Sequence, residues 1–114
     1  MEIKDKHLRC AVKAAQDKKA LDLVVLDLRG LATFTDTFLL CSGTSTPQVQ
    51  AITDEIESRM KEVGQRPSHV EGYQQAEWVL MDYSDIIVHI FSPKSRAFYN
   101  LERLWREAPR YDIP

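Results

Sequence analysis

No apolar run in this chain approaches the roughly 20 residues that a membrane-spanning helix requires. The opening Met1-Glu2-Ile3-Lys4-Asp5-Lys6-His7 lacks the apolar core of a signal peptide and the acid-poor character of a transit peptide. Cysteine is scarce: Cys10 and Cys41 stand far apart with no Cys-x-x-Cys spacing. One bridge between them is possible, but nothing demands it. Two reduced core thiols and a cytoplasmic home are expected. Glycine and proline number only 4 and 5, too few for a low-complexity or linker-dominated protein. A basic surplus is missing too. Fifteen Lys and Arg against 17 Asp and Glu give a formal net charge of -2, and the basic residues are spread along the chain. Proteins that grip nucleic acid through its phosphates show a basic surplus or stripe. Extensive or sequence-specific nucleic-acid binding is therefore disfavoured, and a mildly acidic domain is drawn instead to basic partners, basic proteins included.

Motifs for chemistry are also lacking. There is no Gly-x-x-x-x-Gly-Lys and no Gly-x-Gly-x-x-Gly. His7, His69 and His89 show no His-x-x-x-His spacing, and no serine or cysteine stands beside a histidine in a recognisable nucleophile motif. No metal site, cofactor or enzymatic activity is expected.

What is present is enough for one domain over residues 1–114. The composition is 44% apolar and 28% charged, and a chain of 114 residues buries a core without staples. Ile3 to Lys18 reads as a helix, with Leu8, Ala11, Val12 and Ala15 at helical spacing. Leu23 to Leu28 is a short apolar strand broken by Arg29-Gly30, and Thr37 to Ser42 is a second, placed to pair with it antiparallel. Gly43-Thr44-Ser45-Thr46-Pro47 is a strand-to-helix turn in which Ser45 or Thr46 caps the next helix. That helix carries the stripe Val49, Ile52, Ile56, Met60 and Val63 and stops at Gly64. Ser68 to Glu71 reads as a short third strand. Glu77 to Met81 and Asp85 to Phe91 are the fourth and fifth, joined by a hairpin turn at Asp82-Tyr83-Ser84-Asp85. Lys94 to Trp105 reads as helical with an interruption near Asn100, and Ala97, Leu101, Leu104 and Trp105 are expected to pack inward. The tail from Glu107 to Pro114 reads as irregular. The expected architecture is a five-stranded mixed α/β sheet covered by helices, with one parallel crossover through the second helix.

Four residues of the hairpin fit simple burial poorly: Trp78, Asp82, Asp85 and His89. Strand side chains alternate, so Trp78, Leu80 and Asp82 share one face. Trp78 is either a packed sheet residue or a surface anchor, and tryptophans of the second kind dominate interface energetics. Asp82 and Asp85 stabilise the turn, contact a partner, or serve metal or acid-base chemistry. His89 is a core histidine or a partner contact on the face of Asp85 and Ile87. The Gly43 turn is a capped turn or, with its helix N-terminus, an anion site.

Five segments, in order, resemble the ribosomal silencing factor (Iojap-like) family. They are Asp36-Thr37-Phe38; Ser42-Gly43-Thr44-Ser45-Thr46 with its helix; Val70-Glu71-Gly72; Trp78 through Phe91; and Arg96-Ala97-Phe98-Tyr99-Asn100-Leu101-Glu102-Arg103-Leu104-Trp105. Ser84 stands where the family often has glycine. The resemblance implies a fold similar to nucleotidyltransferases without their catalytic motif; no Asp-x-Asp follows the Gly43 turn. It implies binding to the large ribosomal subunit through its fourteenth protein, a basic protein of the intersubunit face. Occupying that face blocks subunit joining and lowers translation when nutrients run short. Members can look dimeric in isolation, which implies a possible homodimer off the ribosome. In that setting Trp78 would fill an apolar depression, flanked by Leu80, Tyr83 and His89, while Asp82, Asp85 and Glu71 would pair with Lys or Arg of the partner.

Overall fold

A computed structural model describes residues 3–114. Its element order is α1 (Lys6–Asp17), β1 (Leu21–Asp27), β2 (Thr37–Ser42), α2 (Thr46–Glu62), β3 (His69–Glu71), β4 (Trp78–Asp82), β5 (Ile86–Phe91), α3 (Pro93–Tyr99), α4 (Leu101–Leu104) and β6 (Arg110–Asp112). The sheet has six strands in the order β3-β4-β5-β2-β1-β6, one more than the sequence pattern suggested. The extra strand lies in the tail read as irregular. Its three residues are all exposed, so it has no burial pattern of its own, and it exists by pairing antiparallel with β1, Val25 against Tyr111. The crossover through α2 leaves β2 and β5 parallel, while β1 with β2, β3 with β4, and β4 with β5 are antiparallel.

Local chemistry sets the helix ends. α1 begins at Lys6 rather than Ile3 because the Asp5 carboxylate accepts the amides of His7 (2.8 Å) and Leu8 (3.0 Å). Ser45, not Thr46, caps α2, its hydroxyl accepting from the Gln48 amide at 3.2 Å. Asn100 interrupts the last helical segment in a left-handed conformation (φ 45°), a geometry asparagine tolerates. The break changes the phase of the helical pattern. Leu101 is buried and Trp105 half-buried, whereas Ala97 and Leu104 face solvent instead of packing inward; so does Val63, at the end of α2.

The two faces of the sheet carry separate cores. On one, α1 and α2 pack Leu8, Val12, Ile52, Ile56 and Met60 against Val25, Leu39, Val79, Met81, Val88 and Ile90. On the other, Val24, Leu26, Phe38, Leu40, Ile87 and Phe91 are buried with Leu101 and Ala108, while Trp78, Leu80 and Trp105 stay half-buried at the edge of this core. Arg96 of α3 holds this second layer down. Its guanidinium donates to Ser42 Oγ (2.9 Å) and to the Asp22 carbonyl (2.9 Å), and pairs with Glu102 Oε2 at 3.0 Å. Both cysteines are free, and burial pushes the Cys41 thiol up to about 12.

Candidate partner-binding face

Because β4 alternates, Trp78, Leu80 and Asp82 point to the side of the sheet opposite α1 and α2, where they are half-buried, and Val79 and Met81 to the α1–α2 core. Pairing extends this surface sideways. Glu71 of β3 lies opposite Leu80 and His69 opposite Asp82; on β5, His89 lies opposite Leu80 and Phe91 opposite Trp78. Directly opposite residues share a face. The result is a strip of one half-buried indole and one half-buried leucine, edged by carboxylates.

Trp78 is neither sealed nor free. Its ring stacks on Phe91 at a centroid distance of 5.3 Å and meets Tyr99 of α3 at 4.6 Å. Its Nε1–H donates to His89 Nδ1 at 3.0 Å. The main chain beneath it is fixed as well. Gly72 has φ +83°, and a Cβ there would lie 2.1 Å from the Trp78 carbonyl oxygen. Only glycine permits that approach.

The acidic rim is open. Glu71 and Asp85 are exposed and Asp82 is half-buried. His69 Nε2 lies 3.8 Å from Asp82 and 4.0 Å from Glu71. Among the described residues, none of these three carboxylates forms an ion pair with a Lys or Arg. Asp82 also serves the turn: its Oδ1 accepts the Ser84 amide at 2.8 Å, while Ser84 itself sits at φ 70°. The Asp85 carbonyl accepts the amides of Asp36 and Thr37, both at 3.1 Å, tying the turn to the start of β2.

Two expected contact residues are buried. Tyr83 turns into the α1–α2 core, where it is buried, its hydroxyl has no partner, and burial pushes its phenol pKa up. His89 shares a face with Ile87 and Phe91 but is only 3% exposed. Neither presents surface to a partner as placed. Burial alone drives the His89 pKa down to about 3, so the imidazole is neutral. Since an indole N–H only donates, Nδ1 must be the acceptor and the proton must sit on Nε2. That second nitrogen is buried without a hydrogen-bond partner, and the Phe38 ring meets the imidazole edge-on at 4.5 Å.

The helical reading of Lys94 to Trp105 missed a cluster of exposed apolar side chains next to the strip. Phe98 is 78% exposed and Leu104 72%, with Tyr99, Phe34 and Leu31 around them. Leu31, Phe98, Tyr99, Leu104 and Trp105 border a groove that also takes in Arg103 and Arg106; Phe34 meets Trp105 edge-on at 6.1 Å. The usable signal was the pair Phe98-Tyr99 just before Asn100: adjacent aromatics on a seven-residue helix cannot both face its core.

The Gly43 turn is spent on its own helix. The Thr44 amide donates to Gln48 Oε1 at 2.7 Å, and the Gln48 amide to Ser45. Among the described residues, no group of three or more His, Cys, Asp or Glu is arranged to hold a metal, and no helix is long and apolar enough to cross a membrane.

Comparison with known proteins ties this arrangement to a lineage. The ribosomal silencing factor RsfS of Halalkalibacterium halodurans is 45% identical over 106 residues, covering 93% of this chain and 91% of that protein. The Bacillus subtilis protein of the same name is 43% identical, covering 93% and 90%. A mouse protein named mitochondrial assembly of ribosomal large subunit protein 1 is 28% identical, covering 82% of this chain and 42% of its own length. A crystal structure of a Chromobacterium violaceum protein matches with a TM-score of 0.87 and 33% identity, covering 93% of this chain and 88% of that one. The family model described as "Ribosomal silencing factor during starvation" spans residues 2–114, and with it the strip, the rim and the sheet that carries them belong to a member of the ribosomal silencing factor family.

Proposed function

We propose that this chain is a cytoplasmic, single-domain repressor of translation that sits on the large ribosomal subunit and keeps the small subunit from joining it. Its seat is the basic fourteenth protein of the large subunit, at the intersubunit face. The observation that carries the reading is the strip itself: a half-buried indole held between Phe91 and Tyr99, beside carboxylates that, among the described residues, form no ion pair with a Lys or Arg. Family membership and the names of the relatives support the ribosomal setting. Trp78 and Leu80 fill an apolar depression on the partner, and Asp82, Asp85 and Glu71 set register against its cations. Such charges mainly steer encounter, while the aromatic holds the complex. Repression under nutrient limitation then scales with occupancy, and needs neither turnover nor cofactor. We read the sheet as nucleotidyltransferase-like without the catalytic pattern of that class.

Co-sedimentation with isolated large subunits tests this, using the wild type and Trp78→Ala. The variant should lose binding by about 30-fold or more, the effect of removing one interface anchor. Raising salt should slow association. Normal binding and normal blocking of subunit association by a folded Trp78→Ala protein would sink the proposal. The exposed Phe98, Tyr99 and Leu104 beside the strip favour a second use of the same region, as a homodimer contact off the ribosome. Light scattering with and without large subunits separates the two, since a shared surface predicts that subunits dissociate the dimer.

A further inference from the structure

His89 is an expensive residue for its position. It is buried among Phe38, Phe91 and Trp78, and its Nε2–H has no acceptor. Leucine or phenylalanine would fill such a site without stranding a donor, and would be preferred on packing grounds alone. What the imidazole supplies, and an apolar side chain cannot, is one directional contact: the 3.0 Å hydrogen bond from Trp78. The register explains how it is made. Trp78 lies opposite Phe91 and Leu80 opposite His89, so Trp78 and His89 are diagonal neighbours on one face. The long indole spans that diagonal. Ring contacts with Phe91 and Tyr99 restrain the plane of the indole but survive a half-turn of χ2; an acceptor at Nε1 selects one of the two orientations.

We infer that His89 is a positioning residue for the Trp78 anchor: as the Nε2–H tautomer it accepts the indole N–H and holds the ring in the one orientation that a partner meets. This rests on the reading of Trp78 as an anchor. Its effect on affinity is preorganisation, since a side chain already fixed in its bound rotamer loses less entropy on association.

The tautomer can be read in the intact protein by long-range ¹⁵N NMR of the histidine rings. A proton on Nε2 is expected at His89; a proton on Nδ1 overturns the proposal without any mutation. Variants then follow. His89→Leu keeps apolar bulk and removes the acceptor. His89→Asn places Oδ1 near the position of Nδ1. In His89→Leu the Trp78 indole N–H should exchange with solvent about tenfold faster and large-subunit affinity should fall about tenfold, the worth of one lost hydrogen bond. His89→Asn should restore most of both. In a Trp78→Phe background, which has no indole N–H, His89→Leu should change affinity no further. If folded His89→Leu protects the indole N–H and binds as the wild type does, while Trp78→Ala fails to bind, the positioning role is wrong and the anchor stands. If Trp78→Ala also binds normally, the anchor is wrong, and indole exchange in His89→Leu still decides whether His89 holds the ring.

Discussion

Acidification from pH 7 to pH 5 should weaken the fold through His89 in particular. In the unfolded chain this imidazole takes a proton with the ordinary histidine pKa of about 6.5. In the fold, burial drives that value down to about 3. The unfolded state therefore binds more protons than the folded state throughout the interval between the two values. Stability rises with pH wherever that holds, so it falls as the pH drops below about 6.5 and levels off only near 3. Integrating the two titrations gives a loss of about 2 kcal/mol between pH 7 and pH 5, a large share of a stability that for most domains is about 5–15 kcal/mol. The interval also sits above the range in which Asp17 and Asp27 lose their contributions. Their pKa values are lowered chiefly by hydrogen bonds from Arg59 and Arg29 respectively, so that stability is present at neutral pH and lost only as acid protonates the carboxylates. Urea unfolding followed by circular dichroism at pH 7, 6 and 5 measures the slope. His89→Asn is the control, because it keeps an acceptor for Trp78 and cannot titrate. The wild type should lose about 2 kcal/mol more than the variant across the interval. Parallel pH profiles would refute the reasoning, since they would mean that water reaches the imidazole in the folded state.

Gly72→Ala should cost at least about 2 kcal/mol in urea unfolding and shift tryptophan emission, because the new Cβ meets the Trp78 carbonyl at 2.1 Å and φ is +83°. Arg96→Ala should cost about 3 kcal/mol in the same assay, since it leaves the mostly buried Glu102 carboxylate unpaired; a loss under 1 kcal/mol would show that water replaces the guanidinium. Ser84→Gly should stabilise the hairpin by about 0.5–1 kcal/mol, read as a rise in melting temperature, by removing the left-handed strain at φ 70° while Asp82 keeps its bond to the residue 84 amide.

The legible parts of the fold were those whose signal is local. The alternation around Trp78, the polar turn at Asp82 to Asp85, the Ser45 cap and the interruption at Asn100 each rest on neighbours within a few residues. What escaped depends on distant partners. β6 is exposed throughout and becomes a strand only because the margin of β1 offers unpaired groups to it. Ala97 and Leu104 face solvent because the helical phase restarts at Asn100, so a single stripe does not run through both segments. The site shows the same division. The shared face of Trp78, Leu80 and Asp82 follows from a period of two, and so does the place of Glu71 once the register is known. That Tyr83 turns the other way is decided by the turn geometry, and the burial of His89 by the aromatic rings around it. The Trp78–His89 bond was within reach of the sequence in one respect. A turn closed by Asp82 and Asp85 would set residues 78 and 89 directly opposite; the observed closure by Tyr83 and Ile86 makes them diagonal neighbours instead.

Both outer borders of the sheet are three-residue strands, His69–Glu71 on one side and Arg110–Asp112 on the other. Each alternates ionisable groups with a single Val70 or Tyr111, and each is too short to template a lengthy run of main-chain bonds with a neighbour. A protein carrying greasy side chains in the open next to a longer, uncharged border would be at risk of stacking into fibres. Here the exposed apolar side chains and the edges are kept apart: Phe98 and Leu104 lie on the broad side of the sheet, and the margins that could propagate an endless ribbon are clipped and charged.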